Sequence, residues 1–65
     1  MMPGQTYYTL VNNDDEEYEL EDPITGYTEI AKYDSEEEAE EELEELIDEE
    51  VLNEEDGWHV ERNIW

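Results

Sequence analysis

The sequence predicts a small two-layer α+β domain, a three- or four-stranded antiparallel sheet with one acidic helix packed on one face. Three observations predict it. Runs rich in Tyr, Thr, Val and Trp stand near both ends. A Pro/Gly connector joins two more short runs. One capped segment repeats aliphatics at helical spacing.

"QTYYTLV" (Gln5 to Val11) suits a pleated, half-buried surface and reads as the first strand. "NNDDEE" (Asn12 to Glu17) is a turn signal followed by charge, and it breaks that strand. Tyr18 to Leu20 and "YTEIAKY" (Tyr27 to Tyr33) flank "EDPITG", where Pro23 presets a turn dihedral and Gly26 can take positive φ. A hairpin follows. Ser35 is a natural N-cap, and Glu38 three residues on completes a capping box. The acids at 36 to 38 also meet the positive end of the helix dipole.

Ala39, Leu43, Leu46, Ile47 and Val51 then recur at helical spacing as one narrow apolar stripe, with Asn53 and Gly57 read as the stop. "WHVERNIW" alternates, with Trp58, Val60, Arg62 and Ile64 on one side and His59, Glu61, Asn63 and Trp65 on the other. It reads as a final strand. The order is β-β-β-α-β, or β-β-α-β if Tyr18 to Leu20 merely extends the first strand. With no repeat and no linker, residues 1–65 read as a single domain. The aromatics read chiefly as core and cross-strand packing, because few aliphatics remain to fill the interior. Trp65 fits either a core plug or an exposed contact.

A chain of this size buries only about 60% of its unfolded surface, and without cysteine it has no disulfide to staple it. It carries 24 acidic residues against two basic ones, Lys32 and Arg62, for a net charge of −22. Such charge usually marks disorder, but the regular spacing of aromatics and aliphatics argues for a fold. "MMPGQT" has no basic and no apolar region, so no signal peptide is expected. No apolar run approaches the roughly 20 residues of a membrane span. Anionic membranes and nucleic acid would both repel the chain. The expectation is a soluble, cytoplasmic protein that binds neither membrane nor nucleic acid directly and whose strong partner is basic.

Metal binding and catalysis find little support. "NNDDEEYELEDP" lacks the glycine an EF-hand loop needs at its sixth position, so no metal site or cofactor is expected. Paired carboxylates do acid–base work only in a concave, partly desolvated pocket. His59 is the sole histidine, and no nucleophile accompanies it in a recognisable order. No enzymatic activity is expected.

With the stripe turned inward, Glu36, Glu37, Glu40, Glu41, Glu44, Glu45, Asp48 and Glu49 cover the outward face. Seven i,i+4 pairs between positions 36 and 49 are both acidic. Each costs about 0.2–0.5 kcal/mol, together on the order of 1.5–3.5 kcal/mol at low salt. That is a large share of a small domain's stability. Alternating Glu with Lys would give the same solubility without the cost. At about 1.5 Å per residue the face spans about 20 Å. Its charge density falls between duplex DNA's one phosphate per about 1.7 Å over both strands and per about 3.4 Å on one. The candidate partner-binding surface is therefore Glu37, Glu40, Glu41, Glu44, Glu45 and Asp48, with Asp14, Asp15, Glu16 and Glu17 as a flanking patch. Glu54, Glu55 and Asp56 could extend it.

In size, charge and an acidic helix over a short sheet, the chain resembles small acidic DNA-mimic inhibitors. It is most similar to phage and prophage anti-CRISPR proteins, those against type I effector complexes among them. Anti-restriction proteins and inhibitors of DNA-repair enzymes share these features. The resemblance implies an inhibitor that occupies a cationic DNA-binding cleft of a host defence protein and blocks target DNA or PAM binding. The rival is a small halophilic accessory protein whose acidity is solvent adaptation. Against it stand 18 Glu to 6 Asp, and 15 of the 24 carboxylates lying between positions 34 and 56. A third reading is a chaperone-like binder of basic proteins.

Overall fold

Strand β1 (Thr6–Val11) and strand β4 (His59–Ile64) pair antiparallel, from Thr6 opposite Ile64 to Val11 opposite His59. The structure, a computed structural model, describes residues 4–64. Opposed residues share a face, so Leu10 and Val60 point to one side and Thr9 and Glu61 to the other. Helix α1 (Glu36–Asp48) packs on the Leu10 side, which gives the expected α+β arrangement. Its buried residues Ala39 and Leu46 join Leu10 and Leu52 in the core. Tyr8, Tyr18, Tyr33, Leu43, Ile47, Trp58 and Val60 pack against that cluster. On the opposite face buried Thr9 is tied to the half-buried Asn63, whose Nδ2 donates to Thr9 Oγ1 at 3.0 Å.

The sheet is not continuous. Strands β2 (Glu19–Glu21) and β3 (Thr28–Ile30) form a ladder of their own, whose flanking residues meet β1 in bridges at Tyr8–Tyr33 and Val11–Glu17. At the base the Tyr18 N–H donates to the Leu10 carbonyl at 2.9 Å, and the Ala31 N–H donates to the Tyr18 carbonyl at 3.0 Å. Beyond that clamp "ELE" and "TEI" have no apolar face to lay on the core, so they pair with each other and every residue from 19 to 30 is exposed. At the tip, the Ile24 and Thr25 N–H groups donate to Asp22 Oδ1 at 2.8 and 3.4 Å. The Gly26 N–H closes on the Asp22 carbonyl at 2.8 Å, with Gly26 at φ 77° as its turn requires. These amide donors hold the Asp22 carboxyl below its ordinary value.

The helix ends earlier than its stop signals implied. Glu50 takes a left-handed φ of 62°. Its N–H donates to the Ile47 carbonyl at 3.1 Å, and the Val51 N–H reaches back to Leu46 at 2.9 Å. This is a Schellman closure with glutamate in the place glycine usually takes. Asn53 and Gly57 instead bracket a 3₁₀ turn, Glu54–Asp56: Asn53 Oδ1 accepts from the Glu55 N–H at 3.0 Å, and Gly57 sits at φ 75°. A Cβ on Gly57 would run into the Asn13 side chain.

The early reversal changes the core. Val51, expected on the stripe, is 55% exposed, and Leu52 takes the buried place at 8%. The margins of the fold are exposed as well. Tyr27 is 77% exposed rather than packed, because it sits beyond the hairpin clamp. One 13-residue helix covers Trp58 and Val60 but leaves Arg62 and Ile64 exposed. Trp65 lies outside the described residues. No helix among the described residues is long and apolar enough to cross a membrane.

Two stability measurements check this arrangement. Leu46→Ala should cost about 2–5 kcal/mol, whereas Val51→Ala should stay within about 0.5 kcal/mol of the parent. Equal costs at the two positions would place the helix end elsewhere. Glu50→Gly should stabilise by about 1 kcal/mol in chemical denaturation, since only glycine enters the left-handed region without penalty. Destabilisation there would contradict the Schellman geometry.

Candidate acidic interface

The acidic face begins with its cap. Ser35 is extended at φ −137° and ψ 154°, and its Oγ accepts the Glu38 N–H at 3.2 Å. That start fixes the helix phase, and the burial of Ala39 and Leu46 fixes which side faces the sheet. The remaining positions follow from the 3.6-residue period. Glu37, Glu40, Glu41, Glu44, Glu45 and Asp48 are all exposed and all on α1, as the sequence led one to expect. Glu41, Glu44, Glu45 and Asp48 line a shallow depression with Ile47. Glu36 and Glu49 extend the exposed row at either end.

No basic residue stands in the helix's last turn. Asp48 and Glu49 therefore add their charge to the negative end of the dipole. Neither cation is on the helix, and Arg62 shares the sheet face on which the helix packs while standing exposed beyond it. Lys32 follows β3 with its ammonium 5.6 Å from the Tyr7 ring centroid, and Arg62 stands on β4 opposite Tyr8. The helix face presents acceptors only. Its field can attract ammonium and guanidinium groups and repel anions.

Asp14, Asp15, Glu16 and Glu17 are also exposed, but they belong to a different structure. Buried Asn12 organises their turn, its Oδ1 accepting the Asp14 and Glu16 N–H groups at 2.9 and 3.0 Å. Asp15 adopts φ 63° within it. The Asn13 N–H donates to the Asp56 carbonyl at 3.0 Å, which ties this turn to the 3₁₀ turn. Asp14–Glu17 and Glu54–Asp56 thus form one acidic patch where β1 ends and β4 begins. Sequence reading names both segments but misses their union, because the Asn13–Asp56 bond spans most of the chain. Its only local trace is Gly57, whose missing side chain makes room for Asn13. Among the described residues no group of three or more His, Asp or Glu side chains is placed to hold a metal ion.

Behind the helix face stands Tyr33, half-buried. Burial, and then the nearby charge of Glu42, Tyr18 and Glu38, push its phenol up to about 12 from an ordinary value of 10.0. The fold therefore favours the neutral phenol, so its contribution to stability is complete below pH 10. That contribution is lost as pH rises towards about 12. Tyrosinate absorbance should show one phenol titrating near 12, absent in Tyr33→Phe, and alkaline unfolding should shift in that variant. A parent titration with no phenol that late would remove Tyr33 from behind Glu38 and Glu42.

No family model matches the chain, and comparison with curated proteins and with solved structures finds no match.

Proposed function

We propose that the protein is a DNA-mimic inhibitor, acting in the cytoplasm of a host cell on the cationic DNA-binding cleft of a defence protein. A CRISPR effector that reads a PAM duplex is the foremost example of such a target. The observation that carries this reading is the uncompensated row of exposed carboxylates on a docked helix, at a linear charge density like that of a DNA backbone. The carboxylates take the places of phosphates against Lys and Arg. They steer association over long range and block DNA by competition. The Asp14–Glu17 patch, joined to Glu54–Asp56, supplies a second stretch of charge off the helix.

Charge reversal tests the reading. Glu41→Lys with Glu45→Lys removes two attractions and adds two repulsions, and like-charge juxtaposition at an interface costs several kcal/mol. Inhibition of DNA binding by a purified CRISPR effector should fall by orders of magnitude while the fold survives. Glu61→Lys, on the sheet face turned away from the helix, should matter far less. Added DNA should displace the parent protein, and excess protein should displace DNA. If the effector binds protein and DNA together without mutual weakening, mimicry of its DNA is wrong.

A further inference from the structure

Among the described residues six large apolar side chains stand exposed, and four of them, Leu20, Ile24, Tyr27 and Ile30, lie on the β2–β3 arm; Val51 and Ile64 are the other two. On the arm Ile24 is 91% exposed and Leu20 51%, and Tyr27 stands beside them as described above. None of these side chains joins the core cluster, so folding gains almost nothing from them. The arm is nevertheless well built. A lone two-stranded hairpin is marginal in water, yet this one is clamped at Tyr18 and Ala31 and its tip is held by the Asp22 and Gly26 bonds. Pro23 stiffens the apex beside Ile24. The result is a hydrogen-bonded turn that presents Ile24 to solvent.

Charge narrows the occupant. Glu19, Glu21, Asp22 and Glu29 interleave with the apolar residues along the arm. A second copy would bring a net charge of −22 against another −22. An anionic lipid surface would be repelled in the same way. The surface that fits is an apolar pocket with a cationic rim. The arm is also small. A standard interface takes about 800 Å² from each partner, so a twelve-residue hairpin has to act together with another surface, and the acidic helix face is available.

We propose that the β2–β3 arm is an apolar anchor, with Ile24 and Tyr27 as its contact residues, that seats in a hydrophobic pocket rimmed by Lys and Arg on the protein the acidic face binds. The inference rests on the acidic face being a binding surface. Carboxylates alone would engage any cationic cleft; an apolar anchor discriminates among them and slows release.

Two synthetic peptides test it, an oligolysine and a peptide of equal lysine count with leucine and tryptophan interspersed. The parent should bind the second about tenfold tighter or more, as expected from burying one large aliphatic side chain. Ile24→Thr with Tyr27→Thr should erase that preference and leave oligolysine affinity unchanged. Glu41→Gln with Glu45→Gln should weaken both peptides by the same factor. Circular dichroism confirms that each variant folds, and Ile24→Thr alone carries the same expectation if the double variant does not. A parent without the preference, or a double variant that keeps it, overturns the anchor and leaves the acidic face standing. Oligolysine binding indifferent to the helix variants overturns the acidic face itself. Ultracentrifugation in high salt covers the remaining occupant: a parent dimer abolished by the arm variants would make the arm a self-association element and overturn the proposal.

Discussion

Ala39 and Leu46 of the helix bury against Leu10 of β1, and Leu52 closes the same cluster from beyond the helix end. Almost everything else in the molecule depends on this contact. A 13-residue helix is marginal by itself, and one with no basic residue, six like-charge i,i+4 pairs and a seventh from Glu45 to its C-cap Glu49 is worse than marginal. The helix therefore forms because its stripe docks. Full burial of a large aliphatic side chain contributes about 1.5–3 kcal/mol. Two or three of these outweigh the roughly 1.5–3.5 kcal/mol of repulsion along the opposite face. The margin is narrow enough that every buried position in the cluster matters.

What could be read from the sequence was whatever local chemistry decides. Ser35 had to cap, since a hydroxyl followed by three acids and an aliphatic repeat has few other uses. The outward carboxylates followed from the same phase. What could not be read was decided by distant contacts or by a residue outside its usual preference. Glu50 in the left-handed region carries no propensity signal, so Asn53 and Gly57 looked like the stop and Val51 looked buried. In fact the chain reverses three residues sooner, at Glu50 rather than Asn53, and that exchanges Val51 for Leu52. The split sheet was hidden for a related reason. Tyr18 and Tyr33 show strand propensity that is satisfied at β1, while the residues between them pair only with each other. Propensity names strands but not the ladder each joins.

Division of labour between the two sides of the chain follows from how little core there is. The few large aliphatics near the helix are consumed by the Leu10 cluster, and the opposite sheet face buries Thr9 and Val11, with Thr9 hydrogen-bonded to the part-buried Asn63. The apolar residues of the arm are thus not surplus from an overfilled interior. Leu52 had to be recruited from beyond the helix while Ile24 stood in solvent. An isoleucine in solvent at the hairpin turn adds nothing to the core, and the proposed anchor would give it a use.

Rigidity gives the charge its meaning. A disordered polyglutamate could carry as many carboxylates, but each would have to be ordered on binding, at about 0.5–1.5 kcal/mol for every immobilised side chain. Docking the helix settles the backbone part of that cost during folding and fixes the carboxylates along one line. Salt then acts on the two roles in opposite directions. Screening relieves the i,i+4 repulsion, so the fold gains, while it also weakens attraction across an exposed interface, so binding loses. A surface shaped only by the need to stay dissolved would gain from alternating signs and would have no reason to keep the unfavourable pairs. Their presence along one docked face is the feature on which the proposed role in recognition rests.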